Sequence, residues 1–271
     1  MRLVNGVPAD SITLLDRGYQ FGDGVFCTLR CESGGLRFWS RQYARLVHDC
    51  TALGIAAPDE ATLLADIATL EPNDAVIKII VTRGDSERGY AAPEHCAPNR
   101  MVQAAPLPQR PPMDGVRVRW CETRASWQPR LAGIKHLNRL ENVLARAEWH
   151  DPAIFEGLLL DRDGHVVEGV MSNLLALSGR VLFTPRLDSG GVAGVMREVM
   201  MEAAPQMGMA VRETLLTPAA LMAADRLWLC NSVIGLVPVR ELAGQHWGAH
   251  ALDIGVAAKL AQLEKDETTW L

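Results

Sequence analysis

Lys135 lies in "GIKHLNR" (133–139), beside a glycine and with few acidic residues near it in the chain. An amine is a nucleophile and a base only when deprotonated, so a lysine that does chemistry needs surroundings that disfavour its ammonium form. Gly133 and Ile134 before it, and an amphipathic run after it, predict a strand-to-helix junction, a place that commonly opens onto a cleft. A solvated surface lysine is the alternative that this segment alone leaves open.

Four other stretches carry candidate groups. In "GVAGVMR" (191–197) glycines lead into a helix start, freeing backbone N–H groups to face an anion with the helix dipole behind them. No Gly-Lys-Ser/Thr follows, so this is no P-loop, and glycine-rich turns also start helices without binding anything. Arg45, in "RQYARLVHD", suits a phosphate, but Asp49 four residues on is an equal claimant. Glu168 ends an apolar run in "HVVEGVMSN", where a carboxylate needs a cation: a protonated ring nitrogen or a buried arginine. Arg83, Arg88 and Tyr90 in "TRGDSERGY" put two guanidiniums and a phenol in one loop, which suits a carboxylate-bearing substrate, although solvated loops are the commoner case. Cys27, Cys31, His48 and Cys50 fit no common zinc spacing, and no metal site is expected. An amine, a phosphate cup, a second cationic phosphate ligand and a carboxylate for a ring nitrogen are the protein groups a pyridoxal 5′-phosphate site needs.

The elements that must position these groups follow from pattern. "RLVNGVPA" reads as a hairpin turning at Asn5-Gly6, and "VFCTLRCESGGLRFW" as a second around Ser33-Gly34-Gly35. A helix is predicted from an N-cap at Ser40 to Gly54, a shorter one over "DEATLLADIATL", and a buried strand over "AVIKIIVTRG". "APLPQRPPMDG" (105–115) holds four prolines in its first eight positions and reads as a linker. After it come a strand ("VRVRW") and a helix with Leu137, Leu140, Val143, Leu144 and Ala147 on one face. Then follow three or four strands turning at Asp163-Gly164 and Ser178-Gly179, a helix from near Gly194, further strands and a last helix. The expected organisation is a small N-terminal domain (1–104), the linker (105–115) and a larger domain (116–271) dominated by antiparallel hairpins.

Composition sets bounds. The 271 residues are 48% hydrophobic and 22% charged, as in an ordinary soluble globular chain. A net charge of -5 speaks against nucleic acid, and no apolar run is long enough to span a bilayer. Six cysteines without a CxxC pair, and no secretory signal at the N-terminus, lead us to expect reduced thiols and a cytoplasmic location.

The motifs together resemble the class IV aminotransferase superfamily, the fold-type IV pyridoxal-phosphate enzymes. The likeness runs through "DRGYQFGDGVFCTLR" (16–30), "RLVHDC" (45–50), "TRGDSERGY" (82–90), "LAGIKHLNRLENVLAR" (131–146), "DRDGHVVEGVMSNLL" (161–175), "TPRLDSGGVAGVMR" (184–197) and "LCNSVIGLVPV" (229–239). It implies an α/β (α+β type) fold of two domains, the larger built on a mostly antiparallel sheet or barrel. It also implies that Lys135 holds pyridoxal 5′-phosphate as a Schiff base and that Glu168 binds its pyridine nitrogen. Arg45, the backbone amides of Val195 and Met196, and the Ser232 hydroxyl would hold its phosphate.

Within the superfamily the likeness is greatest to the lyases of folate biosynthesis that take 4-amino-4-deoxychorismate to 4-aminobenzoate and pyruvate. Those lyases have a hydroxyl at the position of Thr28, thought to assist proton movement, where branched-chain and D-amino-acid aminotransferases have none. "GIKHLNR" and "RGY" are also nearer the lyase versions, which implies that Arg88, with Tyr90, meets the substrate carboxylate. Cys27 beside Thr28, and "EGVMSNLL" around Glu168, depart from some lyases. Members of the superfamily are usually homodimers, so a dimer is expected here. An aminotransferase on the same fold is the alternative reading, and a non-catalytic module a distant third.

Overall fold

The computed structural model describes all 271 residues and divides into two compact units. The first comprises Met1–Pro108, Ile134–Asn138 and Glu264–Leu271; the second comprises Gln109–Gly133 and Arg139–Leu263. The boundary at Pro108 falls inside the proline-rich stretch, but the five residues around Lys135 and the last eight return to the first unit, which no cut at the prolines alone provides.

The first unit is one antiparallel sheet with helices against it. Its strands are β1 (Arg2–Val4), β2 (Val7–Pro8), β3 (Gly24–Glu32), β4 (Gly35–Arg37), β5 (Ala75–Thr82), β6 (Asn99–Pro106) and, from the C-terminus, β16 (Thr268–Trp270). They are ordered β16-β4-β3-β5-β6-β1-β2. Both expected hairpins are present, with Asn5, Gly6, Ser33 and Gly34 all at positive φ, as tight turns between twisted strands require. β6 continues to Pro106, which pairs with Ala75, so the strand extends into the first two residues of the presumed linker.

Three helices belong to this unit: α1 (Arg17–Phe21), α2 (Trp39–Ala52) and α3 (Glu60–Thr69). α2 begins before the expected Ser40, because Phe38 at φ 54° turns the chain straight into it and no side chain caps it. Leu29, Leu46, Cys50, Leu63, Ile77 and Ile79 are fully or almost fully buried between the sheet and α2 and α3. That core aligns α2 along β3.

The second unit holds β7 (Val116–Arg124), α4 (Leu140–Arg146), β8 (Ile154–Leu160), β9 (Val166–Gly169), β10 (Asn173–Ser178), β11 (Val181–Pro185), α5 (Val195–Gln206), β12 (Ala210–Thr214), α6 (Pro218–Met222), β13 (Arg226–Asn231), β14 (Gly235–Leu242) and β15 (Gln245–His246). α7 (Ala251–Asp266) follows them in the chain. The sheet order is β12-β11-β10-β13-β14-β7-β8-β9, with β15 on β14. It is mixed: β11–β12, β14–β7 and β7–β8 pair in parallel and the remaining neighbours antiparallel. Val166 of β9 donates its N–H to Leu216 O at 2.7 Å, just past β12, so the two ends of the sheet approach each other and the ladder curls towards a barrel.

α4 departs from its expected packing. Leu140, Val143 and Leu144 are 68%, 61% and 57% exposed, and only Ala145 within the helix is buried. The apolar stripe read from the sequence exists, but it faces outward in the single chain.

Candidate active site

Lys135 is placed by backbone pairing. Phe26 N–H donates to Lys135 O at 2.9 Å, Leu137 N–H donates to Gly24 O at 2.9 Å, and Val25 and His136 form an antiparallel bridge. The segment thus lies as a short extra strand along the start of β3. Side chains alternate across such a pair, so Ile134 joins Val25 and Cys27 in the core while Lys135 takes the other face with Phe26 and Thr28. Lys135 Nζ lies 4.5 Å from the centre of the Phe26 ring, a cation over an aromatic face. Thr28 is two residues along that same face, opposite Lys78 of β5, whose Nζ is 5.2 Å from the same ring. The first unit therefore brings together two amines, a phenyl ring and a hydroxyl.

α2 supplies the rest of this half. Asp49, 1% exposed, accepts the backbone N–H of Lys135 at 3.2 Å through Oδ2. Arg45, one turn earlier, donates to Gln42 Oε1 at 3.1 Å, while its Nε is 4.0 Å from Asp49 Oδ2. That ion pair is at the limit of contact, and Arg45 Nε is buried with no hydrogen bond in the chain. A buried N–H donor without an acceptor is costly, and an anion at this place would satisfy it. Cys27 does not compete as a nucleophile: burial pushes its thiol up to about 11, despite the opposing charges of Arg45 and Lys135.

The second unit assembles the other predicted residues. Glu168, buried at the end of β9, accepts from Val192 N–H at 2.9 Å and Asn173 Nδ2 at 3.3 Å through Oε2. Asn173 also donates to Val192 O at 2.8 Å, so the carboxylate and the glycine-rich turn before α5 share one bracket. Gly191 has φ 80°, and a Cβ there would stand 2.7 Å from Leu187 Cδ2 and 3.0 Å from Val167 Cγ1. Gly194 caps α5 without a side-chain bond, leaving the Val195 and Met196 amides in an uncapped first turn. Val195 and Met196 side chains are buried, which holds that turn in place. Ser232 sits in the β13–β14 turn, held by Asn231 Oδ1 accepting from Val233 and Ile234 N–H at 2.8 Å each. Since Asn173 pairs with Cys230, this turn lies at the same sheet end as Asn173, whose Oδ1 crowds Gly194.

The "TRGDSERGY" loop divides. Arg83 is spent on structure: it donates to both oxygens of Asp23, at 2.8 and 3.1 Å, and to Leu53 O and Gly54 O. Arg88 is exposed and without a partner, and Tyr90 is 86% exposed with its ring edge-on to Phe21 at 5.4 Å. Only Arg88 of the two guanidiniums is available to a ligand.

Sequence reasoning passed over Phe26, Lys78 and Asn173. Lys78 had a signal, since one charge in "AVIKIIV" alternates away from Ile77 and Ile79. Asn173 had none, because its role depends on where Val192 and Glu168 meet.

The family model for amino-transferase class IV matches residues 24–242. The chain is 38% identical over 245 residues to an aminodeoxychorismate lyase of Vibrio harveyi, covering 89% of this chain and 90% of that one. It is 32% identical over 241 residues to a putative branched-chain-amino-acid aminotransferase of Methanocaldococcus jannaschii, covering 86% and 83%. Among solved structures, the crystal structure of 4-amino-4-deoxychorismate lyase from Pseudomonas aeruginosa superposes with a TM-score of 0.92 at 42% identity, over 97% of this chain and 98% of that chain.

Proposed function

The chain belongs to the class IV aminotransferase family, and from that premise we propose that it is a pyridoxal-phosphate-dependent lyase converting 4-amino-4-deoxychorismate into 4-aminobenzoate and pyruvate. Pyridoxal 5′-phosphate is the cofactor of this family. The donor sets fit it: Arg45 Nε is a buried donor in need of an anion, and the α5 amides lack a side-chain cap. In this reading Lys135 holds the cofactor covalently, Arg45, Val195 N, Met196 N and Ser232 bind its phosphate, and Glu168 takes its ring nitrogen.

When bound, the pyridinium ring supplies a sink for the electron pair left when a proton is removed beside the substrate amine. Lys135 Nζ is the base for that proton. The face it shares with Phe26 and Thr28 gives its amine an aromatic wall and a hydroxyl on the same side of the sheet. Loss of the proton breaks the bond between the substrate ring and the enolpyruvyl oxygen, and the ring becomes aromatic. The Lys135 ammonium, with Thr28 Oγ1 as its relay, returns the proton to the departing enol, which leaves as pyruvate. Proton and electron pair balance, so no oxidant or second substrate is needed. Arg88, with Tyr90, binds a substrate carboxylate, and Lys78 adds positive charge on the face of Lys135.

The observation that carries the lyase reading is Thr28 on that shared face, opposite Lys78, a hydroxyl at the position where the resemblance to the lyases implies a proton relay. An aminotransferase is the second reading, favoured by the 32% identity to a relative so named. One experiment separates them: the purified protein with cofactor is given 4-amino-4-deoxychorismate, or an amino acid and a keto acid. 4-Aminobenzoate release supports the lyase, and amino transfer without it overturns it. A Lys135→Ala protein that still released 4-aminobenzoate at the normal rate would remove the lysine from its role.

We further read the protein as a cytoplasmic homodimer. Its six cysteines are all unpaired, no helix is long and apolar enough to cross a membrane, and the outward apolar stripe of α4 supports a second copy as its cover.

A further inference from the structure

Arg17 is an arginine buried to 3% exposure in a five-residue helix, and its guanidinium is surrounded by the backbone of a distant loop. Nη1 donates to Gly89 O at 3.1 Å, to Ala91 O at 3.4 Å and to Ser86 Oγ at 3.0 Å, and Nη2 donates to Tyr90 O at 2.9 Å. Nε donates to Asp23 Oδ2 at 2.8 Å, the oxygen that Arg83 Nε also holds at 2.8 Å. The Phe21 ring lies 5.0 Å from the guanidinium carbon and meets the Tyr90 ring edge-on at 5.4 Å. Four bonds to the loop on either side of Arg88 are thus made by one side chain seventy residues away, while Arg88 itself has no partner.

We propose that Arg17 is the positioning residue of the substrate-carboxylate loop: it holds the backbone of Gly89–Ala91 so that Arg88 and Tyr90 are presented at a fixed place. This rests on the assignment of Arg88 to the substrate carboxylate. Asp23 completes the device. Its carboxylate bridges Arg17 to Arg83, and Arg83 binds Leu53 O and Gly54 O at the end of α2, the helix that carries Arg45 and Asp49. The loop is therefore referenced to the same helix that fixes the backbone of Lys135. Gly89, at φ 89°, holds the left-handed backbone that turns its carbonyl towards the guanidinium, a conformation that favours glycine although a Cβ there would meet open space. A lysine could keep the Asp23 pairing, but a single ammonium cannot reproduce a planar fork aimed at several carbonyls.

The test compares wild type, Arg17→Lys and Arg17→Gln as holoproteins, with Arg88→Ala as reference. Two readouts are taken: steady-state kinetics with 4-amino-4-deoxychorismate, and hydrogen exchange of the amides of residues 86–93. The expected result is a KM raised about tenfold or more in Arg17→Gln, with kcat within about threefold and the cofactor's visible absorbance unchanged. Arg17→Lys should lie between, and exchange should rise in 86–93 but not in α2. An unchanged KM in Arg17→Gln while Arg88→Ala raises it would overturn the proposal, as would equal loss of cofactor binding and of α2 protection. If wild type releases no 4-aminobenzoate, the lyase reading fails by itself. Exchange then decides alone: protection in 86–93 that is indifferent to Arg17 rejects the device. Should Arg17→Gln not fold, Arg17→Lys carries both readouts.

Discussion

Asp49 Oδ2 accepts the backbone N–H of Lys135 at 3.2 Å, so a buried carboxylate of α2 fixes the main chain of the lysine's segment. The same oxygen is 4.0 Å from Arg45 Nε, and one buried acid thereby relates two groups that lie 90 residues apart in the chain. A lysine whose backbone is fixed can move its amine over the Phe26 ring without losing its place.

The role of Thr28 predicts a split between two conservative variants. Thr28→Ser should keep most of the lyase rate, while Thr28→Val should lower kcat about 10²-fold, the usual size of a lost proton-transfer group. Release of 4-aminobenzoate measures both. Equal rates for the two variants would remove the hydroxyl from the mechanism.

Arg45→Gln should weaken binding of pyridoxal 5′-phosphate by about tenfold to a hundredfold, the worth of a charge-assisted hydrogen bond. Titration of the visible absorbance against cofactor concentration reads it directly. Affinity for pyridoxal lacking the phosphate should not change, and an equal loss for both forms would argue that Arg45 acts only on the fold.

Glu156, wholly buried in β8, gives a pH signature. Burial raises its pKa to about 7, against hydrogen bonds from Ser172 Oγ and from the N–H groups of Gly157 and Met171 that favour the charged form. The unfolded chain loses this proton near pH 4.5 and the folded chain only near 7, so the folded state holds more protons across that interval. Its contribution is fully present below about 4.5 and is lost as pH rises to about 7. Urea midpoints of wild type and Glu156→Gln from pH 4.5 to 8 should show a difference that drifts against wild type up to about 7 and then levels. A pH-independent difference would contradict it.

Leu140→Glu with Leu144→Glu should turn a dimer into a monomer by sedimentation while leaving the cores of both units intact. These side chains are 68% and 57% exposed, so the double change introduces charge without opening a cavity. A wild-type protein that already sediments as a monomer would refute the homodimer.

Much of this architecture is legible in the sequence. Hairpins at Asn5-Gly6 and Gly34, and α5 from Gly194, follow from local turn and cap chemistry, which is a property of a few adjacent residues. The start of α2 was not legible, because Phe38 adopts φ 54° only under its tertiary packing and a serine two residues on looked the better cap. The periodicity of α4 shows an apolar stripe, but it cannot say whether the cover for that stripe lies in the same chain. The pairing of Lys135 with β3, and of Arg17 with the loop of Arg88, each join segments that no local rule connects.

The first unit takes its strands from three separate stretches, and this has a consequence for its birth on the ribosome. When residue 108 has emerged, β3 has β5 on one side, but its other side is incomplete. The start of β3 waits for Lys135 and its neighbours, and β4 waits for Thr268–Trp270, far later in the chain. Until those segments are made the nascent sheet therefore carries an open edge. The lysine that would do the chemistry is also one of the closures that ends this exposure.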